Sequence, residues 1–292
     1  FGTGFAIEPN LIATNAHVTK GVLDTARQLA AGGGTVVGVS AFQSETGLEV
    51  PLLEATVHPS YSGSTRSPDV GLFVTRSAVP STLELASPES ASSMRKGDAV
   101  QVNGFPGDVN SQIFSLNGYQ PGLSVAQASL FSGTIQAIRN FDERVVVPPT
   151  VSVTDQYEYS MDTSPGTSGS PLLRDGKVVG VHNSGVINIV VRPGPNNQLT
   201  VDREILATAS FGVHVKHLHN MIAEYRTGVL EADKRFRLPP PPELVNSAPA
   251  GGGGQNGGQS LIPAGGITLA GSVSNSSNPN VTHQIQLSIN EA

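Results

Sequence analysis

The 292-residue sequence contains no cysteine. No disulfide therefore holds the fold and no thiol does its chemistry. A reducing cytosol and a bacterial secreted location both agree with that, so the compartment stays open. No apolar run approaches the roughly 18–20 residues of a membrane helix. The formal net charge is −6 and the basic residues are scattered, which leaves no electrostatic footprint for nucleic acid. Long helical periodicity is scarce. Phe1 to Ile7 already reads as a strand, with no initiator Met, charged leader or cleavage site before it. The chain is read as a fragment or processed product, with strands missing ahead of Gly2.

What the sequence does have is short runs of strand-forming residues punctuated by 33 glycines and 21 prolines. Strands are expected at Gly2–Ile7, Leu11–Thr14, Thr35–Ala41, Val50–Val57, Val70–Val74, Ala99–Phe105, Phe131–Ile138, Val145–Val147, Tyr157–Met161 and Lys177–His182, with a last pair within 201–213. Regular turn signals, such as Pro106-Gly107-Asp108, make this an all-β chain of barrel or sandwich type. Two helices are expected. One is a short surface helix over Val22–Ala31, broken by Gly32-Gly33-Gly34. The other runs over Val213–Arg237, with Val215, Leu218, Met221, Ile222 and Tyr225 on one face. His214, His217 and His219 lie in the second, but no carboxylate sits four residues on to complete a metal site. No metal and no cofactor is expected.

Three segments carry chemistry. The stretch Asp162-Thr163-Ser164-Pro165-Gly166-Thr167-Ser168-Gly169-Ser170-Pro171 sets one serine among turn formers. Glycines on either side of Ser168 let the backbone turn sharply and expose both a hydroxyl and main-chain N–H groups, as a nucleophile with an oxyanion site requires. It is not a nucleophile elbow, which needs glycine where Ser170 stands. By itself it reads equally as a Gly/Ser-rich hairpin turn. His17 follows the apolar run Leu11–Thr14, and alone it reads as a structural hydrogen-bonder. Asp69 opens the apolar run Val70–Val74 after a polar loop, and alone it reads as a turn cap, since a carboxylate there needs a hydrogen bond. Taken together, in the order His, Asp, Ser with spacings of 52 and 99 residues, they form a constellation.

Thr14-Asn15-Ala16-His17-Val18, Asp69-Val70-Gly71-Leu72 and Gly166-Thr167-Ser168-Gly169-Ser170-Pro171 resemble the three catalytic blocks of chymotrypsin-like serine proteases. Asn15 and the glycine strand before it are similar to the bacterial and high-temperature-requirement branches. The resemblance covers about residues 1–225. It implies two six-stranded antiparallel β-barrels with the site between them, a C-terminal helix, and a first barrel truncated at its N-terminus. It also implies a serine endopeptidase acting on protein or peptide substrates. His17 would be the general base, Asp69 its orienting carboxylate and Ser168 the nucleophile, with the N–H groups of Gly166 and Ser168 as the oxyanion hole. Thr167 departs from trypsin-like zymogens, where an aspartate pairs with the new N-terminus, so no activation switch of that kind is expected.

The same resemblance leaves specificity with two readings. Asp162, six residues before Ser168, stands where a trypsin-like pocket holds a carboxylate for Arg or Lys. Thr163 and His182 resemble the pair with which bacterial glutamyl endopeptidases bind an acidic P1 side chain, and Ser170 and Val179-Gly180-Val181-His182 fit that branch. The acidic reading is preferred and needs Asp162 turned away. His182 also reads as a satisfied strand histidine. Asn183, Ser184 and Gly185 would offer backbone to the substrate as an added strand. A protease-fold binding module without activity, or a regulated protease, is the alternative function. Residues 1–238 are expected to form the protease unit and 239–259 a Pro/Gly-rich linker. Residues 260–292 would be a β-rich tail or the start of a further, partner domain.

Overall fold

A computed structural model describes residues 2–31, 35–42, 49–106, 128–186, 190–193, 199–202, 209–230, 235–238, 266–268 and 283–290. The glycine break at 32–34, the turn residues Gly107 and Asp108 and the expected linker 239–259 lie outside them. Strands β1 (Gly2–Glu8), β2 (Leu11–Thr14), β3 (Thr35–Phe42), β4 (Glu49–Val57) and β5 (Gly71–Thr75) pair antiparallel in the order β1-β2-β5-β4-β3. They form a curled half-barrel. The second unit is a closed barrel of six antiparallel strands: β6 (Ala99–Gly104), β7 (Ser129–Arg139), β8 (Gln156–Tyr159), β9 (Pro171–Arg174), β10 (Lys177–Val186) and β13 (Ala209–His214). Between β10 and β13, β11 (Val190–Pro193) and β12 (Leu199–Asp202) form a separate hairpin. The strand pair expected within 201–213 is thus divided: β12 pairs β11, and β13 pairs β10 and β8.

An open half-barrel exposes two edges, and unpaired edges invite foreign strands. Here β16 (His283–Asn290) pairs along β3 from Asn290↔Thr35 to Gln284↔Phe42 and also along β1 at Gly2↔Ile285, Thr3↔Gln284 and Gly4↔His283. A C-terminal strand therefore spans both edges, and the pairings run round through six strands. β15 (Gly266–Thr268) lies outside β16, and β14 (Arg235–Arg237) adds to β4.

Helix α1 begins at Ala16, not Val22, and runs to Ala31. Val18 is buried with Leu23 against the half-barrel core, so this β-branched residue, despite its strand propensity, is part of the helix's apolar face. A short helix α2 (Pro88–Ser92) is capped by Ser87, whose hydroxyl accepts the Ser90 N–H. The C-terminal helix α3 spans Val215–Thr227 and stops at Gly228, whose φ of 70° is a left-handed cap. It is shorter than expected because that cap frees Arg235–Arg237 to extend as β14. Val145–Val147 is not a strand. Only Val145 bridges, to Arg139, and Val147 is 84% exposed.

The two units share a core. Phe5, Leu11, Ala13, Val70 and Leu72 from the half-barrel pack with Leu173, Val178 and Val181 from the closed barrel and with Leu218, Met221 and Ile222 of α3. Each buried Val, Leu, Ile, Phe or Met among them contributes roughly 1.5–3 kcal/mol. The seam is thereby fixed where β2, β5 and β9 end.

Candidate active site

Asp69 immediately precedes Val70 and β5. Two residues on, a Cβ at Gly71 would lie 2.3 Å from Thr19 Oγ1 and 2.8 Å from the Asn15 carbonyl oxygen. Only glycine permits that approach, which brings Asp69 under the first turn of α1, where N–H groups lack helical partners. Asp69 Oδ1 accepts the His17 backbone N–H at 2.9 Å, and Asn15 Nδ2 donates to the Asp69 carbonyl at 2.8 Å. The helix N-terminus favours the carboxylate's charge. Oδ2 lies 2.6 Å from His17 Nδ1. A carboxylate only accepts, so the network assigns the ring proton to Nδ1 and leaves Nε2 with its lone pair. Asp69 is 5% exposed, while the His17 side chain is 38% exposed. The pair is anchored at its buried end and open at the other.

Ser164 to Thr167 make a turn closed by Thr167 N–H to Ser164 O at 3.2 Å. Pro165 takes its second position and Gly166, at φ 102°, its third, the pattern of a type II turn. Gly169 also has positive φ, and a Cβ there would lie 2.0 Å from the Thr3 carbonyl oxygen and 2.3 Å from Thr14 Oγ1. The half-buried Ser168 therefore seats on β1 and β2, the strands that lead to His17. Thr3 N–H donates to the Ser168 carbonyl at 2.7 Å. Gly2 is wedged between blocks: its Cβ would lie 2.5 Å from Val18 Cγ2 and 3.2 Å from the Ser168 oxygen. On the far side, Gly169 N–H donates to His182 O and His182 N–H to Ser170 O, both at 2.9 Å. The sequence-predicted His17, Asp69 and Ser168 segments thus meet at one seam.

The specificity candidates divide. Asp162 is exposed. Thr163 Oγ1 is 2.9 Å from Ser210 Oγ, and a Cβ on Gly185 would lie 3.1 Å from it. His182 is fully buried. Its Nδ1 is 2.5 Å from Tyr159 Oη and its Nε2 3.2 Å from Thr167 Oγ1. The Thr167 proton goes to Ser164 O at 2.7 Å, so Nε2 donates to Thr167 and Nδ1 accepts from Tyr159. Burial pushes the His182 pKa down to about 3, so the ring is neutral. Asn183 sits at a register shift in β10. β9 accompanies β10 only as far as Val181, so among the described strands none pairs with that side of β10 at Ser184 and Gly185. They border a cleft of about 490 Å³ that reaches Phe211 and the Arg139–Glu158 ion pair.

Sequence reasoning missed Tyr159 and Thr3. The only signal for Thr3 was its place between Gly2 and Gly4. The helix histidines have other duties: His214 Nε2 pairs with Ser92 Oγ at 3.1 Å, His217 Nε2 with Asp155 Oδ1 at 3.0 Å, and His219 Nε2 donates to Ala86 O at 2.9 Å. Burial pulls His58 down to about 4 and His214 to about 3. With His182, these rings stay neutral in the folded protein where the unfolded chain protonates near 6.5. The unfolded state binds more protons below that pH, so stability is full above 6.5 and falls as pH drops toward 4 and then 3. Each ring should cost up to about 2 kcal/mol by pH 5. Melting at pH 7 and pH 5 checks this: Tm should be markedly lower at pH 5, and an unchanged or higher value contradicts it.

A family model described as a trypsin-like peptidase domain matches residues 2–181. The chain belongs to the trypsin-like peptidase family. It is accordingly a serine endopeptidase acting on peptide or protein substrates. Among solved structures it is similar to a Glu endopeptidase in complex with MPD, at 19% identity and TM-score 0.47 over 76% of this chain and 85% of that one. It is also similar to kallikrein-related peptidase 10 in complex with Zn2+, at 16% identity and TM-score 0.47 over 77% and 89%. No curated protein sequence matches it.

Proposed function

We propose that this trypsin-like peptidase cuts peptide bonds through His17, Asp69 and Ser168, after acidic P1 residues. Ser168 Oγ attacks the scissile carbonyl carbon while its proton passes to His17 Nε2. The oxyanion lies against the N–H groups of Gly166 and Ser168. Collapse breaks the C–N bond, and His17 gives its proton to the departing amine. Water, deprotonated by His17, then attacks the acyl-enzyme and releases Ser168 with its proton restored. The 2.6 Å contact between Asp69 and His17 Nδ1 is the observation that carries this reading, because it leaves Nε2 as the base. Substrate would lie along Ser184 and Gly185 as an added antiparallel strand.

The acidic preference rests on Asp162 and Thr163. This reading takes the exposed Asp162 as turned to solvent rather than into the pocket, and Thr163 offers a hydroxyl beside Gly185. His182 would contribute its Nε2–H, shared with or transferred from Thr167. A bound carboxylate favours the protonated ring and so works against the burial that keeps it neutral. Cleavage of a mixed peptide library, run beside Ser168→Ala, tests the assignment. Cuts after Glu or Asp, absent in the variant, are expected. Cuts after Arg or Lys would instead give the pocket to Asp162.

A further inference from the structure

We infer that Thr3 is a positioning residue for the oxyanion hole, clamping the Ser168 loop from the opposite unit; this rests on the reading of Gly166 and Ser168 given above. Thr3 is fully buried in β1, in the half-barrel, yet it makes hydrogen bonds to the closed-barrel side with all its donors. Its N–H donates to Ser168 O at 2.7 Å and its hydroxyl to Gly166 O at 2.9 Å. The same hydroxyl oxygen accepts the Phe105 N–H at 3.1 Å. Its carbonyl accepts from Thr14 Oγ1 at 2.7 Å. One proton out and one accepted use the hydroxyl as its chemistry permits. Thr3 thus holds the carbonyls of the two residues whose N–H groups would face the oxyanion.

The reason Gly166 needs holding is its freedom. At the third position of the turn, with φ 102°, glycine tolerates either sign of φ. Rotating the Pro165–Gly166 peptide converts a type II turn toward type I, whose third position has negative φ, and swings the Gly166 N–H away. A donor that wanders is worth little, because oxyanion stabilisation comes from dipoles already in place. The Thr3 hydroxyl holds the Gly166–Thr167 peptide by its carbonyl, and the N–H of that same peptide closes the turn onto Ser164, so Thr3 fixes the frame from which the Gly166 N–H is presented. Thr14 and β16 hold Thr3 in turn. Thr14 bonds its carbonyl, and Gln284 is its partner on the neighbouring strand.

The test uses the full chain and three proteins: wild type, Thr3→Val and Thr3→Ser. Valine keeps the shape and removes the hydroxyl, whereas serine keeps the hydroxyl. Peptide cleavage gives kcat and KM, and a thermal melt gives folding. T3V should lose about 10- to 100-fold in kcat, below the roughly 10²–10³-fold of deleting a donor outright. Its KM should stay within about twofold of wild type, and T3S should restore most of kcat. A folded T3V with wild-type kcat, or a T3S as impaired as T3V, overturns the inference. If T3V does not fold, Thr3→Ala replaces it with the same expectations. A folded wild type without Ser168-dependent cleavage would overturn the underlying reading instead.

Discussion

Replacing Ser168 with alanine is expected to lower kcat by about 10⁶-fold and leave KM nearly unchanged. The substitution removes one hydroxyl and nothing else that the loop depends on. The segment is held through main-chain groups: the Ser168 carbonyl accepts from Thr3 at 2.7 Å, and the neighbouring Gly169 N–H bonds His182 O at 2.9 Å. Alanine retains both, and it retains its own N–H for the oxyanion. The side chain is only half-buried, so no cavity of consequence forms. Binding and the oxyanion hole still provide about 10³–10⁴-fold over water. Steady-state kinetics on the best library peptide, beside a thermal melt, measure this. Loss of activity with Tm unchanged is the predicted outcome. A large drop in Tm would make the effect structural, and retained turnover would remove Ser168 from the chemistry.

Asp69→Asn should cost about 10⁴-fold in kcat while leaving the protein folded. The carboxylate accepts two hydrogen bonds with its two oxygens, one from the His17 main-chain N–H at 2.9 Å and one at His17 Nδ1 at 2.6 Å. An amide has only one acceptor. With its oxygen toward the main chain, its NH₂ faces Nδ1 and forces the ring proton to Nε2, where no base remains. In the other orientation the NH₂ meets the His17 N–H, two donors face to face. Both arrangements fail, the first chemically and the second structurally, and the first should prevail. Loss of the charge at the start of α1 removes about 0.3–1 kcal/mol of helix-terminus stabilisation. Tm should fall by a few degrees at most. A kcat within tenfold of wild type would contradict the tautomer argument.

Much of this was legible in the chain. Leu11–Thr14 and Lys177–His182 are short strand-forming runs bounded by turn residues, and both lie in strands. The blocks around His17, Asp69 and Ser168 carry short, position-specific patterns with glycines where contact geometry forbids a side chain, at Gly71 and Gly169. The start of α1 was not legible, because Val18 and Thr19 have strand propensity and only their burial against β-strands makes them helical. Strand pairing was not legible either. His283–Asn290 alternates like any half-buried strand, and nothing local says that its neighbours are β3 and β1 rather than a strand of another unit. The partners of His182 were hidden for the same reason. Tyr159 and Thr167 reach it from 23 and 15 residues away, and only closure of the barrel brings them to one ring.

The most direct measurement is active-site labelling of the folded protein with a fluorophosphonate, with the adduct mapped by mass spectrometry. A single adduct on Ser168 is expected, absent from Ser168→Ala and greatly slowed in Asp69→Asn. A folded, unlabelled wild-type protein, or an adduct on a different serine, would contradict it.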